Sequence, residues 1–291
     1  MRSLSLLFSL FLSIGLFAQY GSFNADAVKK AKAHTTIVVL DDASTAYNTA
    51  LMDAIKADWK FSGGYEFVKV SDLAMQPISP DKTYLMKISK TDPVKFEGKF
   101  LTLVQGWKPK KGDALESKDN AFTNIPVEQE LAFMLIDPKV MNEKGTAKML
   151  HLYTKHLQNY LDLVASGKIT DKTTADRTYS DRHRHIRDTE LWIAQEHLDK
   201  TIPDAAKLKE FYTSPNQIKP VSGLMEAIDK QDSQVTVTDV VITGDYKNKH
   251  TFKRIFNAGT GELMFQRDDQ SLFGKKEGFL DEDFKTIERA R

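Results

Sequence analysis

The sequence contains no cysteine. That excludes a disulfide framework, Cys-ligated zinc, an iron–sulfur cluster, a thiol nucleophile and a lipidated cysteine. An excess of charge of one sign is missing too, because 41 basic and 40 acidic side chains nearly cancel. With Arg2 removed in a leader the chain is formally neutral, so no net field draws it onto nucleic acid or anionic lipid. Glycine and proline are sparse, at 15 and 9 residues, too few for a low-complexity chain. The sequence has no Gly-rich phosphate loop, no Gly-x-Ser-x-Gly, no dinucleotide fingerprint and no His-Glu-x-x-His. What is present is the composition of a folded globular protein: 41% hydrophobic and 28% charged among 291 residues.

Only one long apolar run occurs, at the start. Arg2 supplies a positive charge, Leu4–Phe17 an apolar stretch and Ala18 a small residue, the three-part layout of a secretory signal peptide. The run would make roughly 21 Å of helix, short of the ~30 Å hydrocarbon core. We therefore expect a leader over residues 1–18, cut between Ala18 and Gln19, and a periplasmic or secreted mature chain with no transmembrane segment.

The remainder reads as α/β. A short polar helix or tail spans Asn24–His34, and the unbroken β-branched run Thr35–Leu40 fits a strand buried on both faces. Asp41, Asp42 and Ser44 offer caps to a helix over Ala46–Trp59. A strand at Tyr65–Val70, a helical turn capped by Ser71, and a strand pair at Thr83–Ile88 and Phe96–Val104 follow. Trp107–Asn124 reads as a surface loop, Val127–Ile136 and Thr146–Ala165 as helices, and Gly167–Asp188 as a polar boundary. The second half repeats the order: strand Leu191–Gln195, helix Ala205–Tyr212, strand Asn216–Val221, helix Ser222–Ile228. A strand pair at Val235–Ile242 and His250–Phe256, a further strand at Glu262–Gln266 and a helix at Phe279–Ala290 close it. The interval between the halves is nearly constant: Ile37 maps onto Trp192, Ile55 onto Leu208, Trp59 onto Tyr212, Val70-Ser71 onto Val221-Ser222, and Phe100 onto Phe252. Two similar β-α-β-α-β-β lobes joined by a helical segment are expected, with a possible internal duplication. Their limits are 19–106 for the N-terminal lobe, 107–188 for the loop, helices and linker, and 189–291 for the C-terminal lobe with its terminal helix.

TTIVVLDD, NTALMDAI, YEFVKVSDL and, in the second half, NAGTGELMF together resemble the N-terminal domain of the TolB family and CsgG-like periplasmic domains. The turn Thr260-Gly261-Glu262 matches one often found in the final hairpin of that family. The arginine its members often place after the second strand is Ser71 or Ser222 here. The resemblance implies an envelope protein acting by protein–protein contact. A thioredoxin-like fold shares the element order, but the missing Cys-x-x-Cys pair excludes its redox chemistry.

Several constellations bear on chemistry. Asp41-Asp42 follows the first strand, where open α/β sheets bind ligands. Ala43 stands where a metal-dependent phosphate-transfer enzyme of the haloacid dehalogenase type needs its second aspartate. His183 and His185 with Asp181 form a weak candidate metal cluster, crowded by Arg182, Arg184 and Arg187. His151 and His156 lie about 140° apart around a helix and cannot chelate from one face. Arg182, Arg184 and Arg187 could hold an anionic partner. Trp107, beside Lys108, Lys110 and Lys111, could anchor a protein partner. The expectation is an exported, non-enzymatic binding or accessory protein of the Gram-negative envelope. Its partner would be another envelope protein, with no nucleic acid and no cofactor. The alternative is an exported metal-dependent hydrolase using Asp41/Asp42 or the His183/His185 segment.

Overall fold

The computed structural model describes residues 20–92, 96–110, 114–244, 248–272 and 276–290. The expected leader, its cut site and Lys111 lie outside the described residues. The fold is α/β, with two sheets and helices packed on them.

In the first half the elements are α1 (Ala25–Lys32), β1 (Thr35–Leu40), α2 (Ala46–Asp58), β2 (Tyr65–Lys69), α3 (Val70–Ala74), β3 (Lys82–Asp92) and β4 (Phe96–Gln105). A small hairpin of β5 (Ser117–Lys118) and β6 (Ala121–Phe122), then β7 (Glu130–Ile136), complete it. β1 is an interior strand because Thr36–Val39 carries no charge and all four residues are buried. It runs parallel to β2 and β3; β4 is antiparallel to β3, and β7 to β4. The strand order is β2-β1-β3-β4-β7. β7 corrects the expected helix at Val127–Ile136. Only Val127–Gln129 turns helically, as a 3-10 turn, and Glu130–Ile136 is strand. All but Phe133 of this strand is buried, so its sequence shows no alternation to distinguish it from a helix.

Connecting helices α4 (Pro138–Asn142), α5 (Met149–Ala165) and α6 (Lys172–Ser180) follow. The second half contains β8 (Glu190–Ala194), α7 (Ala205–Leu208), β9 (Asn216–Lys219), α8 (Met225–Asp229), β10 (Val235–Gly244), β11 (Asn248–Asn257), β12 (Leu263–Leu272) and α9 (Asp281–Glu288). Its sheet, read from β9, runs β9-β8-β10-β11-β12. β8 is parallel to β9 and β10, while β10–β11 and β11–β12 are antiparallel. Both halves thus share one strand order and one set of strand directions. Phe100 opposite Ile88 and Phe252 opposite Val241 hold matching rungs.

One apolar cluster crosses both halves. The inner faces of the two sheets contribute Val38, Leu101 and Leu103 on one side and Val237, Phe256 and Leu263 on the other. Between them lies α5, whose Tyr153, Leu157, Tyr160, Leu161 and Val164 are each at most 3% exposed. Each large apolar side chain so enclosed contributes about 1.5–3 kcal/mol. A second, smaller cluster joins the sheets directly through Phe100, Leu135, Val241 and Phe252. Beside it lies a buried polar knot. Arg254 donates Nε–H to Asp239 Oδ2 at 2.7 Å and Nη1–H to the Leu135 carbonyl at 2.9 Å, and the Tyr153 hydroxyl donates to Asp239 Oδ1 at 3.0 Å. A guanidinium of one sheet therefore satisfies a backbone carbonyl of the other.

The N-terminal segment is part of the same seam. Ser22 donates its amide to Leu131 of β7, and Gly21 approaches that strand so closely that any Cβ would collide with the Leu131 carbonyl. Tyr20 is 4% exposed, stacks on Tyr179 of α6, donates to Asp176 and accepts from Gln266 of β12.

Candidate functional site

The acids after β1 serve the fold. Asp41 is buried and ion-paired with Lys87 of β3, whose ammonium lies 4.1 Å from the Tyr47 ring centroid. Desolvation pulls the Lys87 amine below its usual range, with Asp41 opposing that shift. Asn48 receives the Asp41 amide and donates to the Asp41 and Ala43 carbonyls, fixing the turn. Asp42 accepts the Ser71 amide at 2.9 Å, which holds its carboxyl below the usual range. Two expected caps are corrected here. Thr45, not Asp41, Asp42 or Ser44, accepts from the first turn of α2. Neither Ser71 nor Ser222 is the side-chain cap expected of it. Instead Asp42 receives the Ser71 amide of α3, and Glu196, at the matching place after β8, receives the Val221 amide that opens the turn into α8. An acid one strand away does the same work in both halves.

The Arg/His segment is not the open linker its composition suggests. It lies in α6 and a 3-10 turn at His183–Ile186, with Tyr179 and Ile186 in the core. Arg182 donates to the Leu263 carbonyl and pairs with Glu262; Arg187 donates to the carbonyls of Glu288 and Ala290. Arg184 is exposed and donates to His185, which pairs with Asp188 at 3.1 Å. His183 lies against Phe265 with ring centroids 5.0 Å apart, and desolvation lowers its pKa. Asp181 is exposed at the C-terminal end of α6. Arg182 and His185 share one polar cleft with Asp188 and Glu262. Among the described residues no three His, Cys, Asp or Glu side chains gather as a metal site.

Trp107 lies elsewhere, and around it the surface is concave. Its ring is half-buried against the cluster on the outer face of the first sheet. With Met75, Pro77, Pro109, Leu115 and Pro126 it lines a groove of ≈ 680 Å³, floored by Ile78. Three segments build the groove: the chain leaving α3, the chain leaving β4 and the arms around the β5–β6 hairpin. Each is pinned. Gly106 donates its amide to Lys82, with no room for a Cβ beside the Ser79 carbonyl. The Ser79 amide bonds the Tyr84 hydroxyl. Asn124 donates to the Ala114 carbonyl and accepts the Glu116 amide. Lys108 and Lys110 are exposed beside the lining residues. Met75, at 80% exposure, lies on the groove wall; Val127, at 75%, follows Pro126. They are the two most exposed large apolar side chains among the described residues. Sequence reading found Trp107 through its basic neighbours but missed Met75, Pro77 and Leu115, which are dispersed along the chain and meet only in the fold.

No protein-family model, curated protein or solved structure matches this chain. No helix among the described residues is long and apolar enough to cross a membrane.

Proposed function

We propose that this chain is an exported, non-enzymatic binding or accessory protein of the bacterial cell envelope that holds a partner protein in the Trp107 groove. The observation that carries this reading is the pairing of a pinned, concave wall with Met75, the most exposed large apolar side chain among the described residues. Exposed apolar surface of this kind costs solubility unless something covers it. A central aromatic in a groove with an apolar rim is the usual anchor of a protein interface. The partner presents an extended apolar segment, which fits an open furrow better than a globular face does. The resemblance to TolB-type domains points the same way. The hydrolase alternative draws less support, because Asp41 is already paired with Lys87 and Asp42 already receives the Ser71 amide.

A photo-crosslinking side chain placed at Met75 of the full chain, in the cell that makes it, should capture one envelope protein. A probe at Ile242, exposed on the other half, should not. Trp107→Ala should lower that capture at least about tenfold, as loss of an aromatic anchor does, without shifting the thermal midpoint by more than a few degrees. Equal capture from both probe positions, or capture indifferent to Trp107→Ala, would sink the reading.

A further inference from the structure

Only two of the described lysines are buried, Lys87 and Lys253, and Lys253 alone has no exposed surface. It projects from β11 on the face that also carries Ile255, under α9. There it meets two carboxylates. One is Asp269 of β12; the other, 2.5 Å from the ammonium, is Asp283 in the first turn of α9. The ladder sets Lys253 opposite Arg267 and Thr251 opposite Asp269, so Lys253 and Asp269 are diagonal neighbours on one face of a β ribbon. Phe265, Phe279 and Phe284, each at most 1% exposed, belong to the same core cluster.

The two carboxylates are not equivalent. Asp283 is held by the Leu280 amide at 2.8 Å and by Arg267 Nη1 at 2.6 Å, and its side chain is wholly enclosed. Asp269 accepts from Lys253 alone among the described residues and reaches solvent at 15% exposure. We propose that Lys253 and Asp269 are joined by an intramolecular isopeptide bond, with Asp283 as the proton carrier.

The ammonium of Lys253 passes a proton by way of Asp283 to the Asp269 carboxylate, leaving a neutral amine and a neutral carboxylic acid. The Nζ lone pair then attacks Cγ of Asp269. The C–OH bond breaks, and the hydroxyl leaves as water with a proton taken from Nζ through Asp283. One N–C bond is made and one water is lost; nothing is oxidised or reduced. Burial raises the proton affinity of Asp283, which suits a group that must hold a proton in transit. The driving force is the removal of charge from an apolar enclosure. Two cations and two anions become a neutral amide and the single pair Arg267–Asp283, and buried ions are the costly ones. The solvent-facing side of Asp269 gives the water an exit. Lys87 with Asp41 and Lys90 with Glu130 each meet one carboxylate, so acceptor without carrier. In a chain with no cysteine this bond would be the covalent clasp on β12, an edge strand.

The measurement is the intact mass of the purified full chain under denaturing conditions. Wild type should weigh one water less than its sequence requires, and digestion should release a branched peptide joining residues 253 and 269. Lys253→Ala should return the full mass. Asp283→Asn, which keeps both reacting groups, should stay at or near the full mass. Asp269→Asn should end at the same mass as wild type, because loss of ammonia gives the identical amide. Wild type at its full calculated mass overturns the bond outright, whatever the variants do. Complete cross-linking in Asp283→Asn overturns the role given to Asp283.

Discussion

Several polar side chains lie deep in this molecule, and each carries its own consequence. His156, on the core face of α5, is 4% exposed, packs against Tyr179 and Phe256, and has no hydrogen-bond partner at Nδ1 among the described residues. Burial, with Arg254 and Arg182 nearby, lowers its pKa from 6.5 to about 3. The unfolded chain therefore binds a proton below pH 6.5 that the folded chain refuses until about pH 3. Stability is unaffected by this group above that window and falls as the pH drops through it. His156→Leu removes the titration without leaving a polar partner stranded. Its urea midpoint should fall less than that of wild type between about pH 7 and about pH 4.5; parallel falls would assign acid sensitivity to other groups. Nothing in the sequence marked this residue beyond its helical position, because desolvation is a property of the packed neighbours. Trp59 and Trp192, by contrast, stand at the end of an apolar helix and within an apolar strand, and are 6% and 9% exposed.

Helices and strands were readable where their pattern was unambiguous. Thr35–Leu40 announced a central strand because β-branched residues on both faces suit little else. Val127–Ile136 misled, since Glu, Leu, Ala and Met are good helix formers and a strand buried on both sides has no period to betray it. What decided it was a free edge on β4, a tertiary fact. Caps were misread for a related reason. Local sequence offers Ser71 and Ser222, while the chain uses carboxylates that follow the neighbouring parallel strand. Asp42→Ala should accordingly cost about 1 kcal/mol, the usual worth of a lost cap, read as a shift of the urea midpoint at constant slope. Crosslinking from Met75 should be unchanged in that variant. A loss of more than about 3 kcal/mol, outside the range for caps, would mean that Asp42 does more than receive the Ser71 amide.

Taken whole, the described residues form two sheets that share one main apolar cluster. α5 supplies apolar side chains to both halves, and Arg254 binds a carbonyl across the seam. Domains that fold apart have separate cores; here the main cluster runs from Tyr20 to Leu263. The halves should therefore unfold together. Urea transitions followed by tryptophan fluorescence and by far-UV circular dichroism should coincide, with one slope. Arg254→Met should lower the stability of both halves by about 3–5 kcal/mol, because Asp239 is left buried without its counter-ion. Two resolved transitions would show that the seam is weaker than its packing implies. The α/β class could be read from hydrophobic runs, whereas the matching order of strands could be read only in part, because β7 lies in a run that reads as a helix. The shared interior could not, because it depends on which face of α5 meets which sheet.

Tyr20 adds a temporal consequence. The ribosome makes it 246 positions before Gln266, which donates to its hydroxyl. An aromatic made long before its donor is thus among the late arrivals at its berth. Until β12 has been delivered, the Tyr20 segment has no complete socket, and that side of the seam stays pliable while the intervening chain is made.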